Sequence, residues 1–188
     1  MTLEGTRLRL RPWREEDLPP FAALNADPQA MRHFAAPLTR AESDAMAARA
    51  QAQIEATGWG FWAVERRDAP GCIGPGWIGM VGLMPIAWQA DFTPAVEIGW
   101  RIAPAWQRQG FAEEAARLAL AAGFGPLGLA EIVAFTVPAN VASWRLMAKL
   151  GMAPAGRFPH PRLPVGHPLR THLLYRLTRD AWLARNPG

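Results

Sequence analysis

The clearest alternation of apolar and polar positions lies between Val96 and Ile102. Val96, Ile98, Trp100 and Ile102 fall on one face and Glu97, Gly99 and Arg101 on the other, the period-two signature of a strand. Pro104 stops it, and the turn Gln107-Arg-Gln-Gly-Phe-Ala leads into an Ala/Leu-rich helical pattern through Ala112, Ala115, Ala116, Leu118, Ala119 and Ala122. Upstream, Thr6–Pro12 reads as a strand, and Glu15–Asn25 and Asp27–His33 as two short helices, the second with Asp27 as N-cap and Pro28 at N1. Thr39 and Glu42 form a capping box that opens a helix to about Thr57, closed by Gly58. Trp59–Glu65 and Trp77–Leu83 read as paired strands with a Pro/Gly-rich connector, Arg67–Gly76. Glu131–Pro138 reads as a strand. Asn140 is placed to cap the next helix, which ends at Gly151, and His172–Trp182 reads as a last strand and terminal helix. Pro154–Pro168, with five prolines and His160 and His167, reads as one long irregular stretch at a substrate rim or a mobile excursion.

At 188 residues the chain fits a single domain, 1–188, with half its residues hydrophobic, enough for a sizeable core. No apolar run approaches the roughly 18 residues of a membrane span, and the N-terminus lacks a basic-then-apolar leader, so a cytoplasmic protein with no membrane partner is expected. The single Cys72 has no internal disulfide partner, and no Cys/His spacing suits a metal. Net charge is +4, with Lys149 the one lysine and the arginines scattered. That distribution gives no nucleic-acid footprint, although a modest positive field favours an anionic ligand.

The turn after Ile102 is the chief chemical signal. A helix start gathers unpaired N–H groups and the positive end of the helix dipole at one spot, which suits a pyrophosphate. The spacing is neither that of a P-loop nor that of a dinucleotide fold. Gln107-x-x-Gly110-x-Ala112 instead resembles the pyrophosphate loop of the GCN5-related N-acetyltransferases. The likeness extends through Asn140-x-x-Ser143 and the helix ending Leu150-Gly151-Met152. It includes the opening Thr6–Pro12 with Glu15-Glu-Asp-Leu and the closing His172–Trp182. The nearest branch is that of the RimJ and RimL ribosomal-protein alanine N-acetyltransferases.

That resemblance implies an α/β fold, a mixed and mostly antiparallel sheet of about seven strands with helices on both faces. It implies acetyl-CoA as cosubstrate and transfer of its acetyl group to a primary amine by direct attack in a ternary complex. Gln107, Arg108, Gln109, Gly110, Phe111 and Ala112 would hold the pyrophosphate. The backbone of Trp100, Arg101 and Ile102, on the expected fourth strand, would pair with the pantetheine arm. Asn140 caps its helix, with a contact to the pantetheine arm or the thioester as an added role. Glu97 is the candidate general base, against the alternative of an exposed or salt-bridged strand glutamate. Ser143 is the candidate proton donor to the leaving thiolate, Met147 standing where many members carry a tyrosine, against the alternative of a structural first-turn serine. The acceptor is left open between a protein N-terminus and a small amine, and the resemblance leaves room for a homodimer. A non-catalytic acyl-CoA sensor of the same fold is the alternative function. Trp13, Trp59, Trp62 and Trp88 are candidates for an acceptor pocket, most of the nine tryptophans being expected in core or rim packing.

Overall fold

The computed structural model describes residues 1–67 and 76–186, so Cys72 and most of the Pro/Gly-rich connector lie outside the described residues. In chain order the elements begin β1 (Leu3–Glu4), β2 (Leu8–Arg11), a 3-10 turn (Glu15–Asp17), α1 (Leu18–Ala26) and α2 (Arg40–Thr57). Next come β3 (Phe61–Arg66), β4 (Trp77–Pro85), β5 (Val96–Ile102), a 3-10 turn (Pro104–Trp106) and α3 (Phe111–Phe124). The chain closes with β6 (Glu131–Thr136), α4 (Val141–Lys149), β7 (Ala153–Pro159), β8 (Thr171–Thr178) and α5 (Arg179–Arg185). The fold is mixed α/β with eight strands among the described residues, against about seven expected; β1 adds to the edge of β2, which makes Val96–Ile102 the fifth strand.

Two compact units are present. The first comprises Met1–Leu83 and Gly99–Ala119, with strand order β1-β2-β3-β4-β5, and its β1-β2-β3-β4 run is antiparallel throughout. Its core is built on Leu8, Leu10, Phe21, Trp62, Val64 and Ile78, each worth about 1.5–3 kcal/mol of apolar transfer on burial. A charged cluster is buried beside them. Arg11, 3% exposed, forks onto both oxygens of the fully buried Asp17 at 2.6 and 2.8 Å and donates to Glu65 at 2.9 Å. Thr39 and Glu42 exchange the capping-box bonds, and Gly58 takes the left-handed conformation (φ 85°) that ends α2.

The second unit comprises Met84–Ile98 and Leu120–Gly188, with order β5-β6-β8-β7. β5 and β6 run parallel with Glu97 opposite Val133, and the other pairs are antiparallel. Ile132, Ala134, Met147 and Leu177 are buried in its core.

Two expected elements differ. Residues 27–33 form turns and not a helix. The Asp27 carboxylate accepts from the amides of Gln29 at 2.7 Å and Ala30 at 3.4 Å as an N-cap does, and Met31 N–H reaches the Asp27 carbonyl at 2.9 Å, but the turn is not continued as a helix. The stretch 154–168 is not irregular throughout, since its first part belongs to β7. Pro154, Gly156 and Pro159 are tolerated there because β7 is the last strand of its sheet and carries a register shift between Pro154 and Gly156.

Candidate active site

In the first unit, β5 ends at Ile102 and the chain reverses through the 3-10 turn into Gln107–Gly110, all four of them exposed. The turn is latched by its own side chains. Gln107 Nε2 donates to the Ile102 carbonyl at 2.8 Å and Gln109 Nε2 to the Ala105 carbonyl at 3.0 Å. From outside, Arg7 donates to the Gln109 carbonyl at 3.0 Å, pairs with Glu114 at 2.7 Å and lies 4.6 Å from the Phe111 ring centroid. Arg108 and Gly110 both take positive φ, 60° and 83°, which turns successive amides toward a common side as in an anion nest. Among the described residues, the N–H groups of Arg108, Gln109, Gly110, Phe111 and Ala112 have no protein acceptor, and the first helical bond is Glu114 N–H to the Gly110 carbonyl at 3.0 Å. Five unengaged donors at a helix start are a cradle for an anion.

Arg101 on β5 is unusual for a different reason. Its Nη1 donates to Asn25 Oδ1, whose amide donates in turn to Ser43 at 2.8 Å, and its guanidinium lies 4.2 Å from the Phe34 ring. No carboxylate neutralises it among the described residues, Nε is buried without a partner, and burial lowers its pKa to about 10.

In the second unit, Glu97 is half-buried on β5 opposite Val133, and burial pushes its carboxyl up to about 7, with Arg162 pulling the other way. No hydrogen bond or ion pair engages it among the described residues. Asn140 accepts from the Ser143 amide at 3.4 Å as N-cap of α4 and donates to Thr136 Oγ1 at 3.0 Å. Glu97 and Ser143 are thus both arranged around β6, one across from Val133 and the other anchored through Asn140 to Thr136, three residues along. The half-buried Ser143 hydroxyl makes no hydrogen bond among the described residues. Met147 is buried in the core.

An aromatic group stands in the same unit. Trp88 stacks on Phe158 (centroids 5.8 Å, 24°) and meets Phe92 and Phe135 edge-on at 5.7 and 5.6 Å. His160 lies 5.0 Å from Trp88 and 4.9 Å from His172. Burial, aided by His172 and Arg162, lowers the His160 pKa to about 4. Burial also lowers that of His172, opposed by its bond to the Arg170 carbonyl. Burial thus favours the neutral form of both rings. Of the four tryptophans singled out above, Trp13 and Trp62 are buried, whereas Trp88 joins this half-exposed cluster. Phe135, Phe158 and Arg162 carried no sequence signal of their own, because the cluster is assembled from four separate segments.

The family model described as an acetyltransferase (GNAT) domain matches residues 7–153. A protein of Bacillus subtilis described as an uncharacterized N-acetyltransferase, YnaD, is 36% identical over 86 residues, 46% of this chain and 50% of that protein, so the match spans about half of its length. An Aspergillus fumigatus protein, FsC-acetyl coenzyme A-N(2)-transacetylase, is 29% identical over 97% of this chain and 78% of its own. Among solved structures, an acetyltransferase (GNAT family) from Bacillus anthracis superposes with a TM-score of 0.77 at 22% identity, covering 96% of this chain and 99% of the other. Mycobacterium smegmatis RimJ, in complex with CoA-disulfide, gives 0.75 at 19% identity over 100% of this chain and 90% of that one. The fold is shared with these proteins, and with the family match over most of its length the chain belongs to the GNAT acetyltransferase family.

Proposed function

We propose that the chain is an acetyl-CoA-dependent N-acetyltransferase, acting as one domain on a primary amine of a protein N-terminus or a small molecule. The observation that carries this is the run of five unengaged amides from Arg108 to Ala112, which supplies donors to a pyrophosphate without a lysine or a metal ligand. Acetyl-CoA supplies the activated acetyl thioester. Glu97, titrating near neutrality, removes the proton from the attacking ammonium or amine, which matches the optimum for a base working at pH 7. As the new C–N bond forms and the C–S bond breaks, the Ser143 hydroxyl donates its proton to the departing sulfur and recovers one from solvent. Asn140 holds Ser143 at the start of α4.

The test combines binding and turnover. Acetyl-CoA should raise the Tm, and NAD or ATP should not. A panel of amines and peptides should release CoA with a mass-verified acetylated product. In Gly110→Val the side chain must adopt a left-handed backbone, so acetyl-CoA affinity should fall at least about tenfold, or 1.4 kcal/mol. Unchanged affinity in that variant overturns the assignment of the turn. Binding without transfer to any amine makes the chain a sensor and not an enzyme.

A further inference from the structure

Strand register places Glu97 and the aromatic cluster on one sheet face. Residues directly opposite one another on neighbouring strands project to the same side, as do residues two apart on one strand. Glu97 is opposite Val133, and Phe135 is two residues further along β6. Phe135 is opposite Leu174, two residues from His172, and His172 is opposite Phe158. Glu97, Phe135, His172 and Phe158 therefore share a face, and Trp88 and His160 pack against it. Every ring in the group is half-exposed.

The charge pattern selects an occupant. The surface is aromatic, and burial holds its imidazoles toward their neutral forms, each tied to its own loop. His160 Nδ1 accepts from the Arg162 amide at 3.3 Å, and His172 Nδ1 faces the Arg170 carbonyl at 3.2 Å. Glu97 is the carboxyl beside it, and Arg162, close enough to act on both Glu97 and His160, adds a cation. A polycation would gain one partly protonated carboxyl and meet a guanidinium. An amine carried on a flat apolar group would lay that group on the rings and direct its nitrogen toward Glu97.

Resting on the acetyltransferase reading, we propose that this face is the acceptor subsite and that the acceptor is a primary amine borne on an aromatic or similarly flat apolar group. Trp88 and Phe158 set specificity by stacking, and Glu97 receives the proton.

The probes are 2-phenylethylamine, n-butylamine and spermidine. In saturation-transfer NMR with the full-length protein, phenylethylamine ring protons should show transfer and spermidine should not displace them. In turnover, kcat/KM for phenylethylamine should exceed that of the other two by roughly tenfold, the scale of one or two aromatic stacking contacts. Trp88→Leu and Phe158→Leu, which retain apolar volume, should bring the three amines toward parity while the acetyl-CoA Kd stays unchanged. Circular dichroism checks that each variant is folded, and the wild-type competition decides the matter without them. Equal or stronger binding of spermidine, or discrimination that survives both folded variants, overturns the proposal. Absence of product from every amine alongside selective phenylethylamine binding overturns the acetyltransferase reading and leaves the subsite standing.

Discussion

Arg11–Asp17 in the first unit and Glu97 in the second are both charges withdrawn from water, but they are treated in opposite ways. Arg11 is met by two carboxylates at 2.6–2.9 Å, and Asp17 takes a further bond from the Arg14 amide at 2.8 Å, so every charge there has a partner. Among the described residues no hydrogen bond or ion pair engages Glu97, and against a weaker pull from Arg162 burial drives its carboxyl up to about 7. A compensated buried charge is fixed in one protonation state, which suits a structural role. An uncompensated one hovers between two states at neutral pH, which suits proton transfer. Arg101 belongs with Glu97 in this respect, a buried cation held by an amide and a ring and not by a carboxylate.

The sharpest way to break this contrast is to remove the uncompensated group. Glu97→Gln should lower kcat/KM by roughly 10²–10⁴-fold, the usual scale for a general base. The wild-type rate should climb as pH rises through about 7, where the carboxyl loses its proton. The variant should lack that limb, and its deficit should shrink at high pH, where the amine is already neutral. Stopped-flow or thiol-release pH profiles read both effects, and a variant with the wild-type profile would assign the base role elsewhere.

The converse substitution addresses the compensated pair. Asp17→Ala leaves the buried Arg11 guanidinium with Glu65 as its one carboxylate and the Pro12 carbonyl as a neutral acceptor, so denaturant unfolding should show a loss of about 3 kcal/mol, the low end for breaking a buried pair. Acetyl-CoA affinity of the folded fraction should not change. A loss under 1 kcal/mol would mean that Glu65 and water suffice to hold the cation.

Much of this architecture was legible from local pattern, and what escaped shares a physical cause. The alternation of Val96–Ile102, the Thr39–Glu42 box, the Asn140 cap and the glycine at 151 (φ 93°) are decided within a few residues, and the structure has them all. At Asp27–His33 the cap bonds form but the turns after them do not extend into a helix, because a cap alone does not supply the cost of propagating so short an element. β7 was hidden by prolines that only an edge strand accepts. The ring cluster lies beyond any window, since Trp88, Phe135, Phe158 and His172 meet through the register of three strands. The upward shift of Glu97 likewise depends on burial, which no single segment reveals.

A smaller effect is expected at the other end of the proton transfer. Ser143→Ala should reduce kcat about tenfold, below the base term because solvent also protonates a thiolate, with acetyl-CoA Kd unchanged. Since the Ser143 amide, and not its hydroxyl, is what Asn140 caps, the helix should keep its Tm. A fall in Tm with kcat intact would make the serine structural.

The last test sharpens the comparison without any turnover. Glu97 takes up a proton more readily in the folded protein, near pH 7, than in the unfolded chain at its ordinary 4.5. Between those values the native state holds the extra proton, so unfolding releases it and stability declines as pH rises, by at most about 1.4 kcal/mol per pH unit. His160 works in the opposite sense. Its folded pKa of about 4 lies below the ordinary 6.5, so the unfolded state binds the extra proton and stability grows with pH across that interval. The two trends oppose each other below pH 6.5, and the wild-type curve alone would conceal both. The difference between wild type and Glu97→Gln cancels the histidine term. Urea midpoints at half-unit steps from pH 5 to 8 should show the variant gaining stability relative to wild type up to about pH 7 and levelling off above it. A flat difference would place Glu97 in water at its ordinary pKa, and its distinction from the Arg11–Asp17 pair would then lie in solvent exposure and not in uncompensated burial.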